Sequence, residues 1–415
     1  MPDCTESADR KAMVIHMKKI GILTYYYNNN NYGGLLQAYA LTQYLIGKGY
    51  DAEQICFIPP RKDNRIFSKI TNVDFKTKLR WKLSALKNRV IGILTKIRYK
   101  DIFDLIERRN KAFKTFSGFI KHSDRVFDRK SITETNNIYD VFIAGSDQIW
   151  NLLWYAPEYF LSFVNKDKIK LSYAASLPQR EITAEQKEIL KSHLSDFTGI
   201  SVRESQTVDL LKTIGVQAHW AADPTLLLTK DEWDKVCTPR KVESKYVFCY
   251  FLTNNAVERS AAKEFAKNKS LPIVTLPHLS GITSEDLHFG DIRLYDVSPL
   301  DFVSLIKYAE YVITDSFHAA VFSNIYKKQY FVFGRKGGEY MNSRINSLLS
   351  LFDTAKRFYK VNEPQAAEHM LNSDDIDYSK PQSDFETLRK SSEQFLEVIP
   401  RNTDKQKGTY NINEN

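Results

Sequence analysis

The residues of this chain best suited to chemistry stand together in one stretch, Thr314-Asp315-Ser316-Phe317-His318-Ala319. Histidine changes charge near neutral pH, so His318 is a candidate general acid. A short apolar, β-branched run precedes the stretch and predicts a buried strand, and helix-compatible residues follow it. The pattern therefore predicts a strand-to-helix turn, where α/β proteins bind ligands and free helix amides receive anions. The alternative is that Asp315 or Ser316 only caps the helix while His318 packs within it.

A second polar turn follows the apolar run at residues 139–144 and has the sequence Gly145-Ser146-Asp147-Gln148-Ile149-Trp150-Asn151. Aromatic rings stack on the C–H faces of sugars, and carboxylate and amide groups form hydrogen bonds with hydroxyls. The turn therefore predicts a saccharide site that contains Ser146, Gln148, Trp150 and Asn151. Asp147 in the same turn is a candidate to accept a hydroxyl proton. Glu204 is an equal candidate for that role, and a structural role fits both acids as well.

A third polar loop, at residues 25–34, follows the strand predicted at residues 19–24. It contains four consecutive asparagines and ends in two glycines, and residues 35–45 after it have apolar side chains at helical spacing. This layout presents backbone amides to a phosphate or a sugar, so Asn31, Gly33 and Gly34 are predicted saccharide contacts. The glycines match neither the dinucleotide-binding pattern nor the P-loop pattern. The alternative is that the asparagines only supply left-handed turn residues.

Three arginines near predicted strand ends or helix starts are candidates to bind an anion. Arg203 lies at the end of the strand predicted within residues 199–205, Arg335 lies in a basic, glycine-rich loop, and Arg344 opens the next predicted helix. The guanidinium group matches the geometry of phosphate and carboxylate oxygens. For Arg203 the alternative is a simple ion pair with its neighbour Glu204.

Length and pattern predict two α/β domains. With 415 residues, 43 % of them hydrophobic, the chain is long enough for two domains with sizeable cores. Strand-like apolar runs alternate with helical runs in both halves, which predicts a parallel sheet in each. We place the first domain at residues 17–236, the second at residues 245–398, and a disordered tail at residues 399–415.

The net charge of +9 is concentrated at residues 61–130, where Lys and Arg outnumber Asp and Glu about threefold. Residues 76–109 are helix-compatible, so we expect a basic helical insertion at about residues 60–135 of the first domain. A solvated insertion is the interpretation we favour over an amphipathic surface that rests on anionic lipid. Nucleic-acid binding is not expected, because no nucleic-acid-binding module accompanies the charge.

Four cysteines without CxxC or metal-ligand spacing indicate free thiols in a reducing compartment, and no His/Asp cluster indicates a metal site. The sequence has no apolar stretch of about eighteen residues and no apolar signal-peptide core. We therefore expect a cytoplasmic protein, with peripheral contact at the inner face of the membrane if the basic segment binds lipid. Met17 resembles a natural start, which makes residues 1–16 a leader or an upstream misassigned start.

Taken in order, several motifs resemble those of the polysaccharide pyruvyl transferase family. They span roughly residues 18–350 and are Asn31-Tyr32-Gly33-Gly34 with Gln37-Ala38-Tyr39-Ala40-Leu41, Gly145-Ser146-Asp147-Gln148-Ile149-Trp150-Asn151, Ser201-Val202-Arg203-Glu204, Asp223-Pro224-Thr225 and Thr314-Asp315-Ser316-Phe317-His318. One position departs from the pattern. Many members carry a basic residue directly before the motif histidine, whereas this chain has Phe317, which resembles the capsule and exopolysaccharide branch.

The resemblance implies a GT-B-like fold, in which two Rossmann-like domains face each other across a cleft. It also implies transfer of pyruvate from phosphoenolpyruvate to two hydroxyls of a saccharide, forming a cyclic ketal in cell-surface polysaccharide or its lipid-linked precursor. The first domain is then the acceptor side and the second the donor side, with His318 as the acid that protonates the enol-ether methylene. This scheme needs no metal and no cofactor. The expected donor contacts are Arg203, Ser316, Arg335 and Arg344.

Two other functions fit the same sequence. A nucleotide-sugar glycosyltransferase has the same fold, since fold does not determine function. A catalytically inactive scaffold, held on the membrane by the basic segment, belongs to a different class. Binding of phosphoenolpyruvate is expected of the pyruvyl transferase and of neither the glycosyltransferase nor the scaffold.

Overall fold

Short apolar runs that end in polar loops form the strands of a first parallel sheet, as their pattern predicted. The computed structural model describes residues 18–59, 100–179, 181–277, 284–335 and 339–400. The sheet has the strand order β2-β1-β3-β4-β5-β6. Its strands are β1 (Lys19–Leu23), β2 (Asp51–Gln54), β3 (Val141–Ala144), β4 (Ile169–Ala175), β5 (Gly199–Val202) and β6 (His219–Trp220).

The second half of the chain repeats this construction. Its parallel sheet has the strand order β12-β11-β10-β7-β8-β9. The strands are β7 (Val247–Tyr250), β8 (Ile273–Thr275), β9 (Ile292–Arg293), β10 (Tyr311–Thr314), β11 (Gln329–Phe333) and β12 (Phe358–Tyr359). The two sheets with their helices confirm the predicted fold class of two Rossmann-like domains.

Helices cover the sheets and begin where the sequence supplies capping residues. Thr183, Thr229 and Ser298 each form a capping box with the residue three positions later. The described α-helices are α1 (Tyr32–Gly47), α2 (Lys100–Phe119), α3 (Ala184–Leu194), α4 (Ser205–Lys212), α5 (Lys230–Val236), α6 (Ala256–Asn268), α7 (Ser284–Leu287), α8 (Pro299–Lys307), α9 (Phe317–Ile325), α10 (Glu339–Leu351), α11 (Ala366–Leu371) and α12 (Ser383–Glu397). Short 3₁₀ helices lie at Ile132–Asn137, Leu152–Trp154, Pro157–Phe160, Pro224–Leu226 and Ala355–Arg357.

Each sheet reverses its strand order at one place, and these places fix where a ligand can bind. In the first sheet the reversal lies between β1 and β3, and in the second it lies between β7 and β10. Loops that leave the carboxyl ends of such strand pairs run in opposite directions and leave a crevice between them. The polar turns that the sequence predicted after β1, β3 and β10 therefore all lie at crevices.

The two halves are packed together through aromatic side chains. The ring of Tyr32 at the start of α1 stacks on Phe302 of α8 at 4.7 Å, and its hydroxyl donates to the carbonyl of Val297 at 3.0 Å. One cluster of buried apolar residues includes strands of both sheets, for example Ile20 and Val312. This shared core holds the two crevices opposite each other.

The last helix returns to the first sheet, although the sequence placed it within the second domain. Phe395 of α12 packs against His219 at 5.3 Å between ring centroids, and the amide of Ala222 donates to the hydroxyl of Ser392 at 2.9 Å. Ile399, which we expected to begin a disordered tail, is buried, and its carbonyl accepts from the hydroxyl of Tyr50. Residues 401–415 of the predicted tail lie outside the described residues.

The basic insertion is described in part. Residues 60–99 lie outside the described ranges, so their predicted helix and lipid contact stay predictions. Helix α2 continues the segment and buries Phe113 and Phe116, which pack against Tyr32 and Tyr39 of α1. None of the helices in the described part of the chain combines the length and apolar character that crossing a bilayer requires. The described cysteines Cys56, Cys237 and Cys249 are free thiols.

Candidate active site

A cavity of about 440 Å³ lies where the two crevices face each other. Both halves of the chain contribute to its walls, chiefly through the loops after β1, β3, β7 and β10. The lining residues are Tyr25, Tyr27, Asn28, Asn29, Asn31, Tyr32, Gly33, Pro59, Asp147, Gln148, Trp154, Tyr159, Tyr250, Leu252, Ser316, Phe317, His318, Arg335 and Arg344.

His318 reaches this cavity from the second position of α9, as the strand-to-helix pattern predicted. Ser316 caps the helix, because its hydroxyl accepts the amide of Ala319 at 3.4 Å. The imidazole Nε2 lies 3.6 Å from Oδ2 of Asp223, which belongs to the first domain. On its other side the ring lies against Gly33, so that a Cβ built on Gly33 would stand 1.9 Å from Nδ1. His318 is therefore held between two residues of the opposite domain.

Asp223 was not among the predicted site residues, yet within the described part of the chain it is the carboxylate nearest to His318. Its Oδ2 accepts a hydrogen bond from Arg203 at 2.8 Å, and its Oδ1 accepts from the amide and the hydroxyl of Thr225. Burial by itself would raise the pKa of Asp223, but the nearby His318 and Arg203 outweigh burial and hold this pKa well below its usual range. The carboxylate is therefore ionised. Asp223 stands in the motif Asp223-Pro224-Thr225, one of those that resemble the family, and that motif was the signal that could have identified it.

Arg203 is not among the residues that line the cavity, so its direct contact with the donor stays a prediction. Its guanidinium is buried 4.7 Å from the ring of Phe317 and lies close to three carboxylates, at 2.8 Å from Asp223 and 3.7 Å from both Asp147 and Glu204. Burial lowers the pKa of Arg203, but these carboxylates together raise it above its usual value. The expected alternative, a pair with Glu204 alone, is incomplete, because Asp223 is the closer partner.

Arg335 and Arg344 form a cationic wall of the cavity. Arg335 donates through Nε and Nη2 to the carbonyl of Asp315, at 3.0 and 2.7 Å. Arg344 is buried, and its Nε has no hydrogen-bond partner among the residues that the structure describes. Burial, followed by the nearby guanidiniums of Arg203 and Arg335, lowers the pKa of Arg344 to about 9. A cation that is buried, protonated at neutral pH and short of partners favours an anionic ligand beside it.

Some of the acceptor residues predicted in the first domain line the cavity, and others are buried in the core of that domain. Asn31, Gly33 and Gln148 line the cavity, and the Asn31 side chain also caps α1 by accepting from the amide of Gly34. Gly34 lies behind the wall, where an added Cβ would stand 2.5 Å from Nδ2 of Asn29. Asp147 also lines the cavity.

The backbone of Asp147 has a φ of 72°, which residues other than glycine rarely adopt. Its carbonyl accepts from the amides of Ile149 and Ser176, which hold the turn in this conformation. The unusual φ agrees with a functional constraint on the direction of this carboxylate.

Three of the predicted sugar contacts do not line the cavity, because their side chains are buried. Trp150 stacks on Phe160 with ring centroids 5.5 Å apart, and its Nε1 donates to the carbonyl of Tyr159 at 3.1 Å. Ser146 is fully buried beneath the turn. Asn151 is also buried and accepts the amide of Leu153 at 3.0 Å, which caps a 3₁₀ turn.

The aromatic surface that the sequence assigned to Trp150 is formed by other residues. Trp154 lines the cavity with 44 % of its surface exposed. Tyr25 lies beside it, with its ring 4.4 Å from that of Tyr159 and its hydroxyl 3.3 Å from the carbonyl of Trp154. Nothing in the sequence separates Trp154 from Trp150, since the choice depends on how the 3₁₀ turn at Leu152–Trp154 directs each ring.

The site contains no arrangement for a metal in the described residues, because no three of their His, Cys, Asp or Glu side chains form a group that could hold an ion. The second domain contributes His318, Arg335 and Arg344 to the cavity wall. The first domain contributes the Asp147 carboxylate together with aromatic rings and amide side chains.

Comparisons with known proteins concern the sequence family and the fold of the chain. A family model described as "Polysaccharide pyruvyl transferase" matches residues 31–337 of the chain. A structure described as a UDP-N-acetylglucosamine 2-epimerase from Listeria monocytogenes has a TM-score of 0.50 at 9 % identity, covering 92 % of this chain and 96 % of that one. The UDP-GlcNAc 2-epimerase from Methanocaldococcus jannaschii has a TM-score of 0.50 at 11 % identity, covering 90 % and 99 %. At such identities these likenesses concern the fold alone. No curated protein matches the sequence.

Proposed function

The chain belongs to the polysaccharide pyruvyl transferase family, and on this basis we propose that it transfers pyruvate from phosphoenolpyruvate to two hydroxyls of a saccharide. The product is a cyclic ketal. The observation that carries the choice of donor is Arg344, a buried guanidinium on the cavity wall whose Nε lacks a partner among the described residues. Phosphoenolpyruvate carries a phosphate and a carboxylate, and both groups are natural partners of such an arginine.

The two sides of the cavity support separate places for donor and acceptor. On the side of the second domain, Arg335, Arg344 and the amino end of α9 favour an anion. On the side of the first domain, Tyr25, Trp154 and the asparagine loop offer ring faces and hydrogen bonds to a sugar. His318 lies between the two sides, where it can reach the donor carbon as the acceptor approaches.

In the proposed reaction His318 gives a proton to the methylene carbon of phosphoenolpyruvate. The electron pair of the C=C bond forms the new C–H bond, and the first saccharide hydroxyl adds to the electron-poor C2 while Asp147 takes its proton. The C2–O bond to phosphate then breaks, and the second hydroxyl closes the ketal. The saccharide loses two hydroxyl protons. One replaces the proton that His318 gave to the new methyl group, and the other leaves with the phosphate.

Asp147 is proposed as the base because it is the carboxylate that lines the cavity. Glu204 is less suited, because it is buried and its Oε1 accepts from the hydroxyl of Ser176. The guanidinium of Arg203 lies 3.7 Å from the Asp147 carboxylate.

The natural acceptor that we propose is a lipid-linked saccharide in cell-surface polysaccharide biosynthesis, modified at the cytoplasmic face of the membrane. This part follows from the family and from the basic character of residues 61–130. The capsule and exopolysaccharide branch, suggested by Phe317, belongs to the same proposal.

Calorimetric titration with phosphoenolpyruvate, beside a panel of nucleotide sugars, tests the proposal. We expect saturable binding of phosphoenolpyruvate and none of the nucleotide sugars. His318→Ala should retain the donor affinity and lose at least about a hundredfold in turnover. Binding of a nucleotide sugar instead would make the protein a glycosyltransferase. Loss of donor affinity together with the rate would make His318 a binding residue rather than the acid.

A further inference from the structure

We infer that Asp223 positions His318 from across the domain boundary, with Nε2 of the imidazole turned to Asp223 and Nδ1 as the nitrogen that transfers the proton. The inference deepens the proposed function, since it assigns the acid of that reaction to one atom. Asp223 itself acts through His318 and does not line the cavity.

The two ring nitrogens of His318 have different surroundings. Nε2 is buried, has no hydrogen-bond partner within normal range among the described residues, and lies 3.6 Å from Oδ2 of Asp223. A small closure of this gap makes a charge-assisted hydrogen bond. The carboxylate therefore favours a ring that carries a proton on Nε2.

Nδ1 lies at the edge of the ring that faces Gly33. Both residues line the cavity, and of the two ring nitrogens Nε2 is the one that is buried beside Asp223. A substrate in the cavity therefore meets Nδ1, while Nε2 stays covered. Nε2 is therefore the nitrogen that Asp223 holds, and Nδ1 is the nitrogen that reacts.

Asp223 is itself held firmly enough to orient another group. Arg203 donates to its Oδ2 at 2.8 Å, and Thr225 donates to its Oδ1 through the amide at 3.0 Å and the hydroxyl at 2.6 Å. The guanidinium of Arg203 is in turn fixed beside Phe317, the neighbour of His318. Arg203 therefore has a role other than donor binding. It fixes the carboxylate of Asp223, and Asp223 in turn orients His318.

The proton transfer then has a defined course. The Nδ1–H bond of the imidazolium breaks as the C–H bond to the methylene carbon of phosphoenolpyruvate forms. The ring is left neutral with its remaining proton on Nε2, directed at Asp223. Because His318 and Asp223 belong to different domains, the acid is complete only while the two domains are in contact.

Nitrogen-15 spectra of the full chain, labelled at histidine, test the assignment without any substrate. The shifts of neutral imidazole nitrogens distinguish the Nε2–H tautomer from the Nδ1–H tautomer, and His318→Gln identifies the signal by its loss. We expect neutral His318 to be the Nε2–H tautomer, and we expect Asp223→Asn to weaken that preference. A predominant Nδ1–H tautomer in the wild-type protein would overturn the inference, whatever the variants do.

Kinetics provide the second measurement. Asp223→Asn should lower kcat at least about tenfold while the KM for phosphoenolpyruvate changes less than about threefold. Asp51→Asn is the matched control, because Asp51 begins β2 at the opposite edge of the sheet and pairs with Lys121 on the surface. An unchanged kcat in folded Asp223→Asn would refute the positioning role. A wild-type protein inactive on phosphoenolpyruvate would refute the proposed function instead and leave the tautomer result to be judged alone.

Discussion

Gly33 of the first domain lies so close to His318 of the second that a Cβ at residue 33 would stand 1.9 Å from the imidazole Nδ1. Non-bonded heavy atoms do not approach each other that closely, so His318 keeps its place only if residue 33 has no side chain. The amino end of α1 in one domain is thus the surface against which the imidazole from the other domain rests.

We expect Gly33→Ala to displace the imidazole and to lower kcat at least about tenfold, because small misplacements of a reacting group are costly. The measurement is phosphate release from phosphoenolpyruvate at saturating acceptor. Gly47→Ala in the same helix is the control, since an added Cβ there meets nothing within 4 Å. Wild-type kcat in both variants would show that the close contact does not matter for the reaction.

Arg344→Met should separate stability from donor binding. Burial and the neighbouring Arg203 and Arg335 lower the pKa of Arg344, so the charged form costs free energy in the folded state at every pH below about 9. An apolar side chain of similar length removes that cost, and the free energy of unfolding should stay unchanged or rise by up to roughly 4 kcal/mol. The affinity for phosphoenolpyruvate should fall at least about tenfold.

Denaturant unfolding and calorimetric titration of Arg344→Met measure the two effects. Arg240→Met is the control: Arg240 donates to the carbonyls of Val242 and Ser244, so its loss should affect stability and leave donor affinity unchanged. A clearly destabilised Arg344→Met protein would mean that Arg344 has favourable partners in the folded state. Unchanged donor affinity would remove Arg344 from the donor site.

Much of the fold was predictable because buried parallel strands have apolar runs with sharp polar ends. The apolar run before Asp315 forms β10 (Tyr311–Thr314), and Ser316 caps α9 as expected. The packing of α12 against the first sheet could not be predicted in this way. An amphipathic pattern shows that one face of a helix is buried, but it does not show which domain covers that face.

The sequence located the site at strand ends but did not determine which side chains reach it. Trp150 and Trp154 lie four residues apart in one turn, and only tertiary packing decides that the first is buried and the second lines the cavity. Arg203 had the chemistry of an anion ligand, yet three carboxylates of its own domain surround it. Such partners are brought together by the fold and leave no local trace in the sequence.

Trp150 and Trp154 should therefore behave oppositely on substitution. Trp154→Ala removes an exposed ring from the cavity wall, so we expect a higher KM for the saccharide and a nearly unchanged stability. Trp150→Ala leaves a cavity in the core and should lower the free energy of unfolding by about 3–5 kcal/mol. Thermal unfolding and acceptor kinetics on both variants check this, and a destabilised Trp154→Ala with normal acceptor KM would contradict the assignment.

Glu258 should make the stability of the protein depend on pH. The carboxyl is buried at the start of α6, where its Oε1 accepts from the hydroxyl of Thr253. Burial, and next the charge of Asp315, raise the pKa of Glu258 from 4.5 to about 8. The folded protein therefore keeps a proton that the unfolded chain releases near pH 4.5, and stability falls as the pH rises from about 4.5 to about 8.

Glu258→Gln cannot ionise, so it should remove this part of the pH dependence. We expect wild type and variant to have similar stabilities near pH 4.5, and the variant to be more stable above pH 8 by at least about 1 kcal/mol, since one pKa unit corresponds to 1.36 kcal/mol. Urea unfolding at several pH values measures the difference, with Glu264→Gln on the exposed face of α6 as the control. Parallel stability curves for wild type and Glu258→Gln would show that Glu258 is already ionised in the folded protein at neutral pH. In that case the nearby cations Arg259 and Arg335 would be what stabilises the negative charge on Glu258 beside Asp315.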